Sequence, residues 1–229
     1  MPKHKFYGEL AYLAGIFALA FGTSCMTTAD LGLSMVVAPA YLIHLKLSQF
    51  WPAITFGVAE YIVQALLLVV LSLILRRFRV RFLFSFLTAL FYGRVLDGFL
   101  TLWAGVAGLT LGPRILLFAL GMVLCALGVS FVLHTYLPPE VYELMVKEIS
   151  AKYHLPNSRV KTGYDCLSCG AAVFLSFLFF GFGQFHGVWL GTFVCAALTG
   201  TIVGWCNSRL ERAFSFPAAF PRFAAYFNQ

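Results

Sequence analysis

Charge is what this chain has least of: of 229 residues, 11% are Asp, Glu, Lys or Arg, and only 9 are acidic. A water-soluble domain needs a polar shell, and a chain that is 61% hydrophobic with a mean hydropathy of +0.87 would instead show water large apolar patches. Lipid is therefore its main solvent. The sequence also lacks a zinc HExxH pair, a Gly-x-Ser-x-Gly elbow and aspartates paired for intramembrane hydrolysis, and it reads as no enzyme. Its six cysteines fall within or at the ends of apolar segments and form no loop-disulfide framework. Cys166 and Cys169 make a lone CxxC without a nearby His, which suits packing better than zinc, so neither metal nor cofactor is expected.

What is present is a series of apolar runs about 20 residues long, too long for the strands of a barrel and suited to helices that satisfy their own backbone in hydrocarbon. They run from Phe6 to Met26, Phe50 to Leu75, Phe82 to Val106, Ile115 to Leu137, Val160 to Phe182 and Val188 to Cys206. Lys3, His4 and Lys5 ahead of the first run imitate a signal peptide, but that run is long enough to cross and has a counterpart later in the chain. The net charge of +7 sits in short clusters between runs, which argues for topology and against nucleic acid. With the N-terminus inside, Lys3, Lys5, Arg76, Arg77, Arg79, Arg81, Lys147, Lys152, Arg159, Lys161, Arg209, Arg212 and Arg222 are inner, and only Lys46 and Arg114 are outer. That bias places both termini in the cytoplasm.

Two stretches are too short or too polar for simple spans. Leu31 to Leu47 holds Gly32, Pro39, His44 and Lys46, and is expected to be interfacial or re-entrant. Pro138 to Lys152 reads as an amphipathic helix, interfacial in preference to re-entrant, with Val141, Leu144, Met145 and Ile149 on one face and Glu140, Glu143, Lys147 and Glu148 elsewhere.

An offset of about 106 residues aligns Gly15 with Gly121, Gly22 with Gly128 and Ser24 with Ser130; neighbouring offsets bring Glu60 to Asp165 and Gly93 to Gly200. The order long, short, long, long helix recurs, which gives an N-terminal repeat over 1–110, a C-terminal repeat over 111–206 and an interfacial tail over 207–229. Three crossings per half make the halves run oppositely. The expected fold is thus all-α, a six-helix membrane bundle built as an inverted repeat with two short helices.

A charge at the bilayer centre costs at least about 2.5 to 3.5 kcal/mol, so buried ionisable groups are the first candidates for a site. Glu60 and Arg94 are expected at similar depth on adjacent helices, with Asp97 one turn from Arg94 and Gln64 one turn from Glu60. A structural charge cluster is one reading; the sharper one has Arg94 bind an anionic group while Glu60 or Asp97 carries a coupling proton. Asp165, the counterpart of Glu60, has Arg159 and Lys161 within reach of a salt bridge, and His44 and His134 near span ends suit anchoring. Gly187 with Gly191, and Gly200 with Gly204, have the spacing of close helix packing, within the bundle or in a homo-oligomer. In the tail, Arg209, Arg212, Arg222, Phe214, Phe216, Phe220, Phe223 and Tyr226 mix cations and aromatics as a segment on an anionic leaflet would.

The segment Ala29-Asp30-Leu31-Gly32-Leu33-Ser34, the stretch from Tyr142 to Ser150, then Arg159 to Thr162 with Asp165, and the spaced pair Gly93 and Asp97 together resemble the YczE/YyaS/YitT-like (DUF6198-like) bacterial integral membrane proteins. The likeness makes Ser34 a secondary candidate. The chain departs from it at Met35 to Ala38, where many members carry Pro, Trp and Asp. The resemblance implies a bacterial cytoplasmic-membrane protein without enzymatic machinery and names no substrate. The expected function is a small secondary transporter or permease for a polar or anionic solute. The alternative is a non-transporting membrane partner or regulator of another complex.

Overall fold

The computed structural model describes residues 4–106, 108–181, 189–221 and 224–225. In chain order they form β1 (His4–Lys5), α1 (Gly8–Ala29), α2 (Ala38–Leu47), α3 (Phe56–Leu75), α4 (Arg81–Trp103), α5 (Leu111–Leu133), α6 (Val141–Tyr153), α7 (Asn157–Phe180), α8 (Leu190–Ala213) and β2 (Phe214–Ser215). All but α2 and α6 among the helices are long and apolar enough to cross a membrane. The shortest, α3, has 20 residues and reaches about 30 Å, the thickness of a hydrocarbon core.

The helix ends follow local chemistry. The second span starts at Phe56 and not at Phe50, because Pro52 interrupts the run and the Thr55 hydroxyl caps the helix by accepting the Val58 N–H at 3.2 Å. The first short helix is confined to Ala38–Leu47: Gly32 turns the chain at a φ of 120°, and Pro39 sits in the opening turn. The last span runs on to Ala213, so residues 207–213 are helix and not tail.

The bundle is centred on α1 and α5, which cross antiparallel with Gly15 against Gly128 and Gly22 against Gly121. The approach is backbone to backbone: a Cβ on Gly22 would lie 2.7 Å from the Gly121 carbonyl oxygen, and one on Gly128 would lie 2.6 Å from that of Gly15. Outside this pair, α4 packs on α1 and α8 on α5; α2 lies on α3 and α7; α6 lies on α3, α4 and α7. Helices α3 and α4 also pack together, with Gly57 against Gly93, whereas α7 and α8 do not form a packed pair among the described residues.

Of the glycines singled out for packing, Gly191 is used: its N–H donates to the Leu31 carbonyl at 3.0 Å, and a Cβ there would meet the Phe118 ring at 2.8 Å. Gly200 and Gly204 instead face open space and pack against nothing among the described residues, because α8 turns another side toward α5. Gly187 lies outside the described residues.

The second short helix is not spread on a surface. Val141 at its start is bonded to Gln64, the ninth residue of α3, while Glu148 meets Arg77 and Arg79 and Lys152 bonds the Ile74 carbonyl at α3's far end. Helix α6 therefore runs beside the second half of α3, and its N-terminus reaches about halfway through the bundle. It is re-entrant. The apolar face expected to meet lipid is instead buried against α3, α4 and α7, with Ile149 at its margin.

The tail is tied to the other end of the chain. Strand β1 pairs in parallel with β2, Phe6 and Gly8 N–H donate to the Ser215 and Pro217 carbonyls at 2.9 Å, and the Glu9 carboxylate accepts the N–H groups of Ala219 and Phe220. Both ends thus lie on one side of the bundle, as an even number of crossings requires. Arg222, Phe223 and Tyr226 lie outside the described residues.

A bulky side chain at the central crossing forces α1 from α5, whereas one on the open face of α8 does not. Gly22→Leu is expected to destabilise the detergent-solubilised protein by about 2 kcal/mol or more, several degrees in Tm. Gly200→Leu is expected to leave Tm in place; equal Tm values for the two variants would contradict the packing described.

Candidate functional site

The first turns of α3 carry Glu60 and Gln64 one turn apart, on the face turned toward α6, and both are fully buried. Two residues reach them from the start of α6. Tyr142 donates its hydroxyl to Glu60 Oε2 at 2.6 Å, and the Val141 N–H donates to Gln64 Oε1 at 3.2 Å. The Gln64 amide nitrogen then bridges two carboxyl groups, Glu60 Oε2 at 3.3 Å and Glu140 Oε2 at 3.4 Å. One amide thus holds two acids.

Glu140 was placed on the polar side of an amphipathic helix by its sequence pattern, yet it is only 8% exposed. The preceding loop is what carries it in: the Pro138 carbonyl accepts the Thr88 hydroxyl at 3.1 Å and the Tyr12 hydroxyl at 3.4 Å, which fastens the loop to α4 and α1. Burial raises the Glu140 carboxyl well above the usual carboxylate range; the negative charges of Glu143 and Glu60 add to the rise, and the Gln64 hydrogen bond opposes it. No cation is bonded to either acid among the described residues. Among the described residues the other Glu60 oxygen, Oε1, is buried without a hydrogen-bond partner, and so is the Ser85 hydroxyl, one turn before Thr88 on α4.

Arg94 is not part of this cluster. The contact of Gly93 with Gly57 fixes which face of α4 meets α3, and the next residue, Arg94, points outward and is exposed. Depth separates them too: Gly57 lies against Gly93, so Arg94 is level with the start of α3 and Glu60 is about one turn further along it. Asp97 is occupied at the start of α3, where it accepts the Thr55 hydroxyl at 2.6 Å and the Gly57 N–H at 2.8 Å. It caps a helix.

Ser34 turns the chain into α2 through its carbonyl, which accepts the N–H groups of Val37 and Ala38. Asp165 pairs with Lys161 at 3.2 Å on the same face of α7, apart from the acid pair. His44 holds the Ile54 carbonyl at 2.8 Å and His134 contacts Glu211 at 3.4 Å, so each fastens a span end. Of the four residues proposed together, Glu60 and Gln64 lie side by side, with Glu140 and Tyr142 bonded to them, and Arg94 and Asp97 lie apart from them. Pro138 and Pro139 just before Glu140 were the available signal, since they break the chain ahead of a helix whose first residues then lie deep.

No curated protein and no solved structure matches the chain. The profile of a family of unknown function, DUF6198, matches residues 6–208, from the start of α1 through most of α8. The match takes in all six membrane-capable helices and every member of the buried cluster, and the chain belongs to that family.

Proposed function

We propose that the protein is a small secondary transporter of a bacterial cytoplasmic membrane, and not an enzyme, which couples movement of a polar solute to a proton held between Glu60 and Glu140. The observation that carries this reading is a re-entrant helix whose N-terminus ends on two buried acids, one of them with an unpartnered oxygen. Broken or half-crossing helices that aim a terminus at buried polar groups suit a carrier, because backbone amides there are free to bind and the helix is short enough to shift. Two acids on one amide in an apolar bundle hold one proton more readily than none, and its release changes the charge of the bundle centre. An anionic solute had Arg94 as its only support, and the exposure of that residue removes it.

The helix contacts support alternating access between halves. Residues aligned at an offset of about 106 meet reciprocally, Gly15 with Gly128 and Gly22 with Gly121, as a two-fold axis in the membrane plane would require. The other pairs follow suit: α1 with α4 and α5 with α8, α2 with α3 and α6 with α7, α2 with α7 and α6 with α3. Two pairs break the pattern, and the first is α4 with α6, which has no packed counterpart between α8 and α2 among the described residues. Helices α3 and α4 close through Gly57 and Gly93, while Gly163 and Gly200 on α7 and α8 face open space. On the transport reading the two halves are caught in different states. The same open faces favour the second reading, a non-transporting partner of another membrane complex, which would dock there.

Two measurements test the proton. Because Glu140 binds its proton more tightly when folded, its stabilisation is complete below the ordinary carboxylate value and is lost as pH rises toward the raised one. Tm of the purified protein is expected to fall as pH rises above the ordinary carboxylate value, with stability declining by at most about 1.4 kcal/mol per pH unit from this group, and Glu140→Gln to flatten the slope. A Tm that climbs with pH, or an unaltered slope in the variant, counts against a buried protonated pair.

The second uses proteoliposomes loaded with a pH-sensitive dye and challenged with amino acids, amines, sugars and carboxylic acids in turn. At least one solute is expected to drive proton flux, Glu60→Gln to reduce it to the level of protein-free vesicles, and Arg94→Gln to retain it. Silence across the set, or full flux in the Glu60 variant, would overturn the carrier.

A further inference from the structure

The last two turns of α3 end in a groove of about 450 Å³ on the outside of the bundle, lined by Leu68, Val69, Ser72, Leu73, Arg76, Arg77 and Phe78. Its walls are apolar and open: Val69, Leu73 and Phe78 are each more than half exposed. Its rim is cationic. The helix stops because Arg76 adopts a left-handed conformation, φ 53° and ψ 30°, with its N–H returning to the Leu73 carbonyl and that of Arg77 to Ser72. Glycine is the usual residue at such a stop, and a side chain costs about 1 kcal/mol there. An arginine held at that cost places its charge at the groove mouth.

The local charge is unbalanced. Arg76 has no ion pair among the described residues, and Arg77 approaches Glu148 only to 4.0 Å, because Glu148 is nearer to Arg79 at 3.7 Å. The groove from Leu68 to Arg76 covers eight residues of helix, about 12 Å, most of the roughly 15 Å depth of one leaflet. Charge at the headgroup level and a bare apolar channel beneath it match one ligand chemistry, a phosphate joined to acyl chains.

We propose that this groove binds an anionic phospholipid, with its phosphate on Arg76 and Arg77 and an acyl chain along Val69, Leu73 and Phe78. The site is separate from the buried acids and does not depend on the transport reading.

The test is native mass spectrometry of the full-length protein in micelles holding equal phosphatidylglycerol and phosphatidylcholine. The wild-type protein is expected to retain phosphatidylglycerol preferentially, and Arg76→Gln/Arg77→Gln to lose that preference. Arg209→Gln/Arg212→Gln, the same charge change elsewhere, is expected to keep it, and Val69→Gln/Leu73→Gln to weaken retention with the arginines intact. An unchanged preference in the Arg76/Arg77 variant, or an equal loss in the Arg209/Arg212 variant, overturns the site. Displacement of the lipid by glycerol phosphate at equal concentration also overturns it, since a headgroup site for a free anion would need no groove.

Discussion

The bundle is organised around the place where α1 and α5 touch without side chains between them. Lipid offers no hydrophobic drive for helices to associate, because a leucine is as comfortable against an acyl chain as against another leucine. What remains is contact area and the hydrogen bonds that close approach permits. Gly15, Gly22, Gly121 and Gly128 bring two backbones within reach, and α4 and α8 then take positions on the outer sides of that pair.

The acid cluster is the costly part of the arrangement. Each neutral hydrogen bond contributes about 0.5 to 1.5 kcal/mol net, so the four that join Glu60, Gln64, Glu140, Val141 and Tyr142 return about 2 to 6 kcal/mol. Two buried charges on insertion scales cost about 5 to 7 kcal/mol. Fully ionised, the site loses; with one proton between the acids the two sides come close to balance. A group near balance changes state on small differences in surroundings, as a coupling site must. A purely structural cluster gains nothing from leaving Glu60 Oε1 unmatched.

Long apolar runs gave the spans their existence and approximate places, since in hydrocarbon length and composition leave few alternatives. Their ends were less legible, because capping outweighs hydropathy there: Thr55 moves one start inward, and α8 carries Ser208, Arg209, Glu211 and Arg212 out beyond the apolar stretch. Glu60 and Gln64 were legible as a polar pair at helical spacing on an apolar helix. Glu140 and Tyr142 were not, because amphipathic reasoning lays the whole helix on the membrane surface, whereas the start of α6 is buried in the bundle on its polar side as well as its apolar one. Arg94 shows the limit of arguing from depth alone. The rotation of α4 was set by a small residue beside it, and that rotation decided its environment.

The pairing of His4 and Lys5 with Phe214 and Ser215 has a consequence for how the molecule is made. A ribosome delivers β1 before the eight described helices and β2 after them, so the first strand stays without this partner until those helices have been made. The Glu9 carboxylate, which accepts backbone amides from Ala219 and Phe220, waits likewise. The stretch after α8 therefore acts as a clasp, and the bundle of helices is sealed only after both halves are in place.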